Sequence, residues 1–95
     1  MTAPGRASTL SELRDDIERI DTTLIALIAQ RIDVARQAGR LKLAAGQPVL
    51  DPAREAVVLA RASRLAREAG LSGDEIRALF WQLLAMSRRA QLDGA

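Results

Sequence analysis

Between positions 10 and 41 apolar side chains recur at helical spacing without a break: Leu10, Leu13, Ile17, Ile20, Leu24, Leu27 and Ile28, then Val34, Ala35, Ala38 and Leu41. No proline stands inside this run, and Gly39 is a single interruption of the kind a helix tolerates. Thr9 opens the run and Glu12 follows three residues later, the spacing of a capping box. A helix over residues 9–45 would be about 55 Å long at ~1.5 Å per residue, whereas a small compact domain is about 30 Å across. The remainder of a 95-residue chain cannot cover both ends of such a rod. The length of the helix therefore predicts a second chain packed along it, which also suits a chain too short to build a large core alone.

Gln47-Pro48-Val49-Leu50 reads as a short extended connection. Asp51 and Pro52 then open a second helix as N-cap and first helical residue. Its apolar face is Val58, Leu59, Ala62, Leu65 and Ala66, and Gly70 ends it. Ser72 caps a third helix, again with a Glu three residues on, whose apolar face is Ile76, Leu79, Phe80, Leu83 and Leu84 and which fades near Asp93. The expected fold class is all-α, with three helices per chain and a long first helix. Residues 1–8, small, polar and containing Pro and Gly, are expected to be a mobile tail. Residues 9–95 are expected to form a single domain.

The inventory of side chains limits the chemistry. Cys and His are both absent, which removes disulfides, thiolate chemistry, and the commonest general base and metal ligand. No acidic cluster stands in as a metal cage, so neither a metal nor a cofactor is expected. An enzyme built from this set must work by binding and electrostatics. A net charge of +2 is too small to argue for nucleic acid. No apolar run is long enough for a signal peptide or a membrane span, so the expected compartment is the cytoplasm.

Function is expected from polar groups that fall on the apolar stripes. Arg31 and Lys42 lie within roughly 20° of the line through Leu24, Ala35 and Ala38. Ser87 and Gln91 lie within roughly 20° of Phe80. Glu55 aligns with Leu59 and Ala62, and Arg14 and Arg54 flank their stripes. One acid cannot neutralise four cations, and buried charge needs a partner. The imbalance predicts an anionic ligand with more than one negative charge, held by arginines whose planar donors suit carboxylates. Each residue also has a plainer reading. Arg31 and Lys42 can snorkel to the surface, Ser87 can bond its own backbone, Gln91 can be exposed, Glu55 can pair a surface arginine, and Asp51 can be a cap alone. Arg61, Arg64 and Arg67 read as a solvated face of the second helix, and Arg88 and Arg89 as solvated cations near a helix C-terminus. Trp81 fits either the core or an interface between chains.

Four segments in order, LRDDIERIDTTLIALIAQR, GRLK, PVLDPARE and SRRAQ, resemble the all-helical, type II chorismate mutases over residues 10–91. That resemblance implies an intertwined homodimer in which the long first helices are swapped and two equivalent sites are shared between chains. It implies that Arg14 reaches the partner's site, that Arg31 and Arg54 bind the carboxylates of chorismate, and that Lys42 and Gln91 donate to its ether oxygen. It further implies that Glu55 holds the ring hydroxyl, with Asp51 and Ser87 as supporting contacts. The implied activity is an isomerase of the shikimate pathway and aromatic amino acid biosynthesis, rearranging chorismate to prephenate without a cofactor. Isochorismate pyruvate-lyase and aminodeoxychorismate mutase share this scaffold and stay open as alternatives. So does a non-catalytic helical dimerisation module, although that leaves Arg31, Lys42, Ser87 and Gln91 unexplained. No docking segment for a pathway-enzyme partner is recognisable.

Overall fold

The computed structural model describes residues 9–93, so the expected tail over residues 1–8 lies outside the described residues. Three helices follow in order: α1 (Leu10–Ala44), α2 (Pro52–Glu68) and α3 (Gly73–Asp93), with no strand among the described residues. The boundaries trace to local chemistry. The Thr9 hydroxyl oxygen accepts from the Glu12 backbone N–H at 3.1 Å, and the Ser72 hydroxyl accepts from that of Glu75 at 3.2 Å. Asp51 Oδ1 accepts from the Arg54 N–H at 3.1 Å, with Pro52 as the first helical residue. Both α1 and α2 stop at a glycine in the left-handed region, Gly46 at φ 67 and Gly70 at φ 79. In each case the following N–H reaches back across the last turn, Gln47 to the Lys42 carbonyl and Leu71 to the Ala66 carbonyl, both at 2.8 Å.

The chain divides inside α1, between Arg31 and Ile32, into two compact units. In the first, α1 is an amphipathic rod whose apolar stripe is open: Leu13 is 37% exposed, Ile17 57%, Ile20 52%, Leu24 52% and Leu27 56%. Its polar face is held locally, by an Asp16–Arg19 ion pair and by the Thr22 hydroxyl donating to the Glu18 carbonyl at 2.9 Å. Arg14 is exposed here and Arg31 half-buried.

In the second unit α2 and α3 pack along one another, antiparallel because so short a connection joins them. Leu59, Ala62 and Ala66 are the buried positions of α2, and Leu84, Ser87 and Ala90 those of α3. Leu65 and Leu79, expected on the apolar faces, are instead exposed, as is Trp81. Two leucines and three alanines make up the buried apolar set among the described residues, which is little core for the length of helix it supports.

Candidate functional site

The last turn of α1 meets α3 at one unusually close point. Gly39 is the buried residue of α1. A Cβ built on it would lie 2.7 Å from the Gln91 carbonyl oxygen, 2.8 Å from the Gln91 Cα and 3.0 Å from its Cβ. Only a residue without a side chain lets the two backbones approach this far. Lys42 stands one turn further along α1, on the same face.

That approach brings together two of the expected residues, 49 positions apart in sequence. Lys42 Nζ donates to Gln91 Oε1 at 2.8 Å and to the Val49 carbonyl at 3.3 Å. Both acceptors are neutral, so the ammonium has hydrogen bonds but no counter-charge among the described residues. It does not snorkel into solvent: the side chain is half-buried. The bond also fixes the Gln91 amide. With Oε1 taken by Lys42, the NH2 end is turned away and is not donated to any described residue. An ammonium and an amide NH2 thus sit side by side, both with protons to give.

One turn back on α3, Ser87 is 5% exposed and donates to the Leu83 carbonyl at 2.9 Å. This is the plain backbone-bonding arrangement of a helical serine. Next to it stands a residue that sequence reasoning assigned to solvent. Arg88 is half-buried, and its Nε lies 3.2 Å from Glu55 Oε2, with the side chains 33% and 17% exposed. The Nε is itself buried and lacks hydrogen-bond alignment, so the contact rests on charge. The signal that could have found it is the one used for Ser87 and Gln91: Arg88 lies about 40° from the buried Leu84 on the helical wheel. Glu55 is therefore paired within its own chain.

Asp51 serves as the N-cap of α2, which satisfies its plainer reading. Arg54 is exposed and has no acid partner among the described residues. Beside Arg88 a hollow of about 380 Å³ is lined by Val49, Leu50, Ala85, Arg88, Arg89 and Leu92. Within the second unit the fold thus brings Lys42 to Gln91 and Glu55 to Arg88, with Ser87 on the same stretch of α3. Arg14 and Arg31 belong to the first unit. No group of three or more acids able to hold a metal occurs among the described residues. No helix there is long and apolar enough to cross a membrane.

Comparison with known proteins gives a consistent picture. The family described as chorismate mutase type II matches residues 13–92. The chain is 31% identical to a chorismate mutase of Methanocaldococcus jannaschii, over 85% of this chain and 81% of that one. It is also 31% identical to an isochorismate pyruvate lyase of Pseudomonas aeruginosa, over 88% and 82% respectively. It is 36% identical to a 4-amino-4-deoxychorismate mutase of Streptomyces venezuelae, over 65% and 60%. The chain spans only 18% and 22% of the length of two T-proteins that it also matches.

Proposed function

Since this chain belongs to the type II chorismate mutase family, we propose that it rearranges chorismate to prephenate by an intramolecular 3,3-sigmatropic shift. One carbon–oxygen bond breaks as one carbon–carbon bond forms, with no nucleophile, proton transfer or cofactor. A chain without His and Cys is suited to such a reaction. The observation that carries the reading is the Lys42–Gln91 pair, an ammonium with only neutral acceptors beside an uncommitted amide NH2.

The reaction asks two things of a protein. The enolpyruvyl arm must be held over the ring in a reactive geometry. Arg31 and Arg54, with Arg14, clamp the two carboxylates for that purpose, and Ser87 supports one of them. Negative charge growing on the ether oxygen must also be stabilised as the bond breaks. Lys42 and the Gln91 NH2 supply that, and more strongly in the transition state than in the ground state. Removing one such donor typically costs roughly 3–4 kcal/mol, against about 8 kcal/mol for a million-fold acceleration. Two donors and a clamp therefore suffice in order of magnitude. Glu55 accepts from the ring hydroxyl, and Asp51 holds the start of α2, which carries both Arg54 and Glu55.

The assembly in this reading is a homodimer with the long helices exchanged, acting in the cytoplasm. Its support is the open stripe of Leu13, Ile17, Ile20, Leu24 and Leu27. These side chains are already about half covered, so burying the rest of all five contributes about 5 kcal/mol per chain, and a second copy of the same stripe is its natural cover. Arg14 then serves the partner's site.

A second reading, pyruvate elimination from isochorismate, is favoured by the similarity to the Pseudomonas aeruginosa lyase along nearly the whole chain. Incubating the purified protein separately with chorismate and isochorismate and identifying the products decides between them. Prephenate from chorismate is the expected result. Release of pyruvate from isochorismate, with chorismate left intact, overturns the mutase assignment. Turnover of neither removes both.

A further inference from the structure

Lys42 has only neutral partners, whereas Glu55 has a cation of its own. The two ends of the candidate site therefore differ in electrostatic character. At the Lys42 end a ligand meets an uncompensated positive charge. At the Glu55 end it meets a carboxylate that Arg88 already balances.

The form of the Glu55–Arg88 contact matters as much as its existence. The guanidinium Nε is 3.2 Å from Glu55 Oε2 without being aligned as a hydrogen bond. Charge is compensated, yet the lone pairs of the carboxylate are not committed to a donor from Arg88. A ligand hydroxyl can still donate to Glu55 at no electrostatic cost. An ammonium in the same place cannot do so freely, because it adds a second cation beside a guanidinium that stays protonated. With the two side chains 17% and 33% exposed, water screens that repulsion only in part.

We propose that Arg88 is a specificity-determining residue: by balancing Glu55 it makes the site accept a ring bearing a neutral hydroxyl and reject one bearing an ammonium. The inference rests on the reading above that Glu55 faces the ring substituent. The relevant pair of substrates is chorismate and 4-amino-4-deoxychorismate, which differ by this one group; the amine is aliphatic and protonated near neutral pH. Arg88 acts through Glu55 and is a positioning and charge-balancing residue, not a group that handles the reacting atoms.

The test is a ratio, so it is insensitive to general loss of activity. The kcat/KM values for the two substrates are measured for the wild-type protein and for R88K, R88M and R88Q, the last serving if R88M does not fold. The wild type and R88K should favour the hydroxyl substrate. R88M or R88Q should move the ratio toward the amino substrate by about tenfold or more. In an E55Q background, where nothing balances the guanidinium, the preference for the hydroxyl substrate should sharpen. A wild-type protein that rearranges chorismate but keeps the same ratio in R88M and R88Q overturns this inference and leaves the mutase assignment standing. A wild-type preference for the amine overturns it as well. A wild-type protein that rearranges neither substrate instead refutes the proposed function on which the inference rests.

Discussion

Replacing Gly39 with alanine is the smallest change that should separate catalysis from folding. The added Cβ would sit 2.7 Å from the Gln91 carbonyl oxygen and 2.8 Å from its Cα, atoms of backbone that cannot rotate away. Restoring an ordinary contact of ~3.5 Å requires α3 to retreat by about 0.8 Å at Gln91. Lys42 and Gln91 are joined by a 2.8 Å bond across that same interface. A retreat of that size along the bond stretches it to about 3.6 Å, beyond the hydrogen-bonding range. A misplacement near 1 Å in a catalytic constellation costs about a hundredfold in rate. Stability should change less, since alanine favours the helix by up to ~1 kcal/mol and overpacking opposes it by roughly 1–3 kcal/mol.

The assay is continuous conversion of chorismate, with kcat and KM fitted separately and Tm read on the same samples. G39A should lose about a hundredfold, mostly in kcat, with Tm lowered by only a few degrees. The Q91A background sharpens the reading: the crowded backbone remains but the amide is gone, so adding G39A should cost little more. Full kcat in G39A, or an undiminished loss in the Q91A background, would show that Gly39 does not act through the Gln91 amide.

Other consequences can be measured as readily. Gln91→Glu places a carboxylate against the Lys42 ammonium; ionised, it can only accept, so its rate should rise as pH falls, and the adjacent ammonium holds that rise below the ordinary Glu range. The wild type, whose amide donates at any pH, should show no such rise, and a flat profile for the variant would remove Gln91 as a donor to the ether oxygen. Mixing inactive R14A with inactive K42A protein should restore part of the activity once subunits exchange, because one site in a mixed dimer then has both residues. No recovery after mass-verified exchange counts against shared sites. Asp51→Ala removes the acceptor of the Arg54 N–H and should cost about 1 kcal/mol, read as a lowered midpoint in urea; an unchanged midpoint would mean the cap contributes nothing.

The helices were legible because their signals are local. Thr9, Asp51 and Ser72 each accept a backbone N–H three residues on, and Gly46 and Gly70 each end a helix in a conformation that glycine adopts without strain. The polar breaks in the apolar stripes were legible for the same reason, since a helical wheel is a property of one segment. Arg88 and Gly39 show where such reading stops. The wheel puts Arg88 near a buried face but cannot say that Glu55 of another helix stands opposite. Gly39 looks like a tolerated flaw in a long helix until α3 is laid across it. Leu65 and Leu79 mark a second limit: periodicity assigned them to apolar faces, and the described chain by itself leaves both open.

The sequence by itself determined the helical architecture, the absence of thiol and imidazole chemistry, and the surplus of cations on apolar faces, all of which depend on residue type and spacing alone. Tertiary structure alone decided which of those groups meet. Lys42 reaches Gln91 across 49 positions, and Glu55 finds Arg88 rather than another cation, because contact between helices depends on how closely their backbones approach, and no periodicity within a single helix encodes that distance.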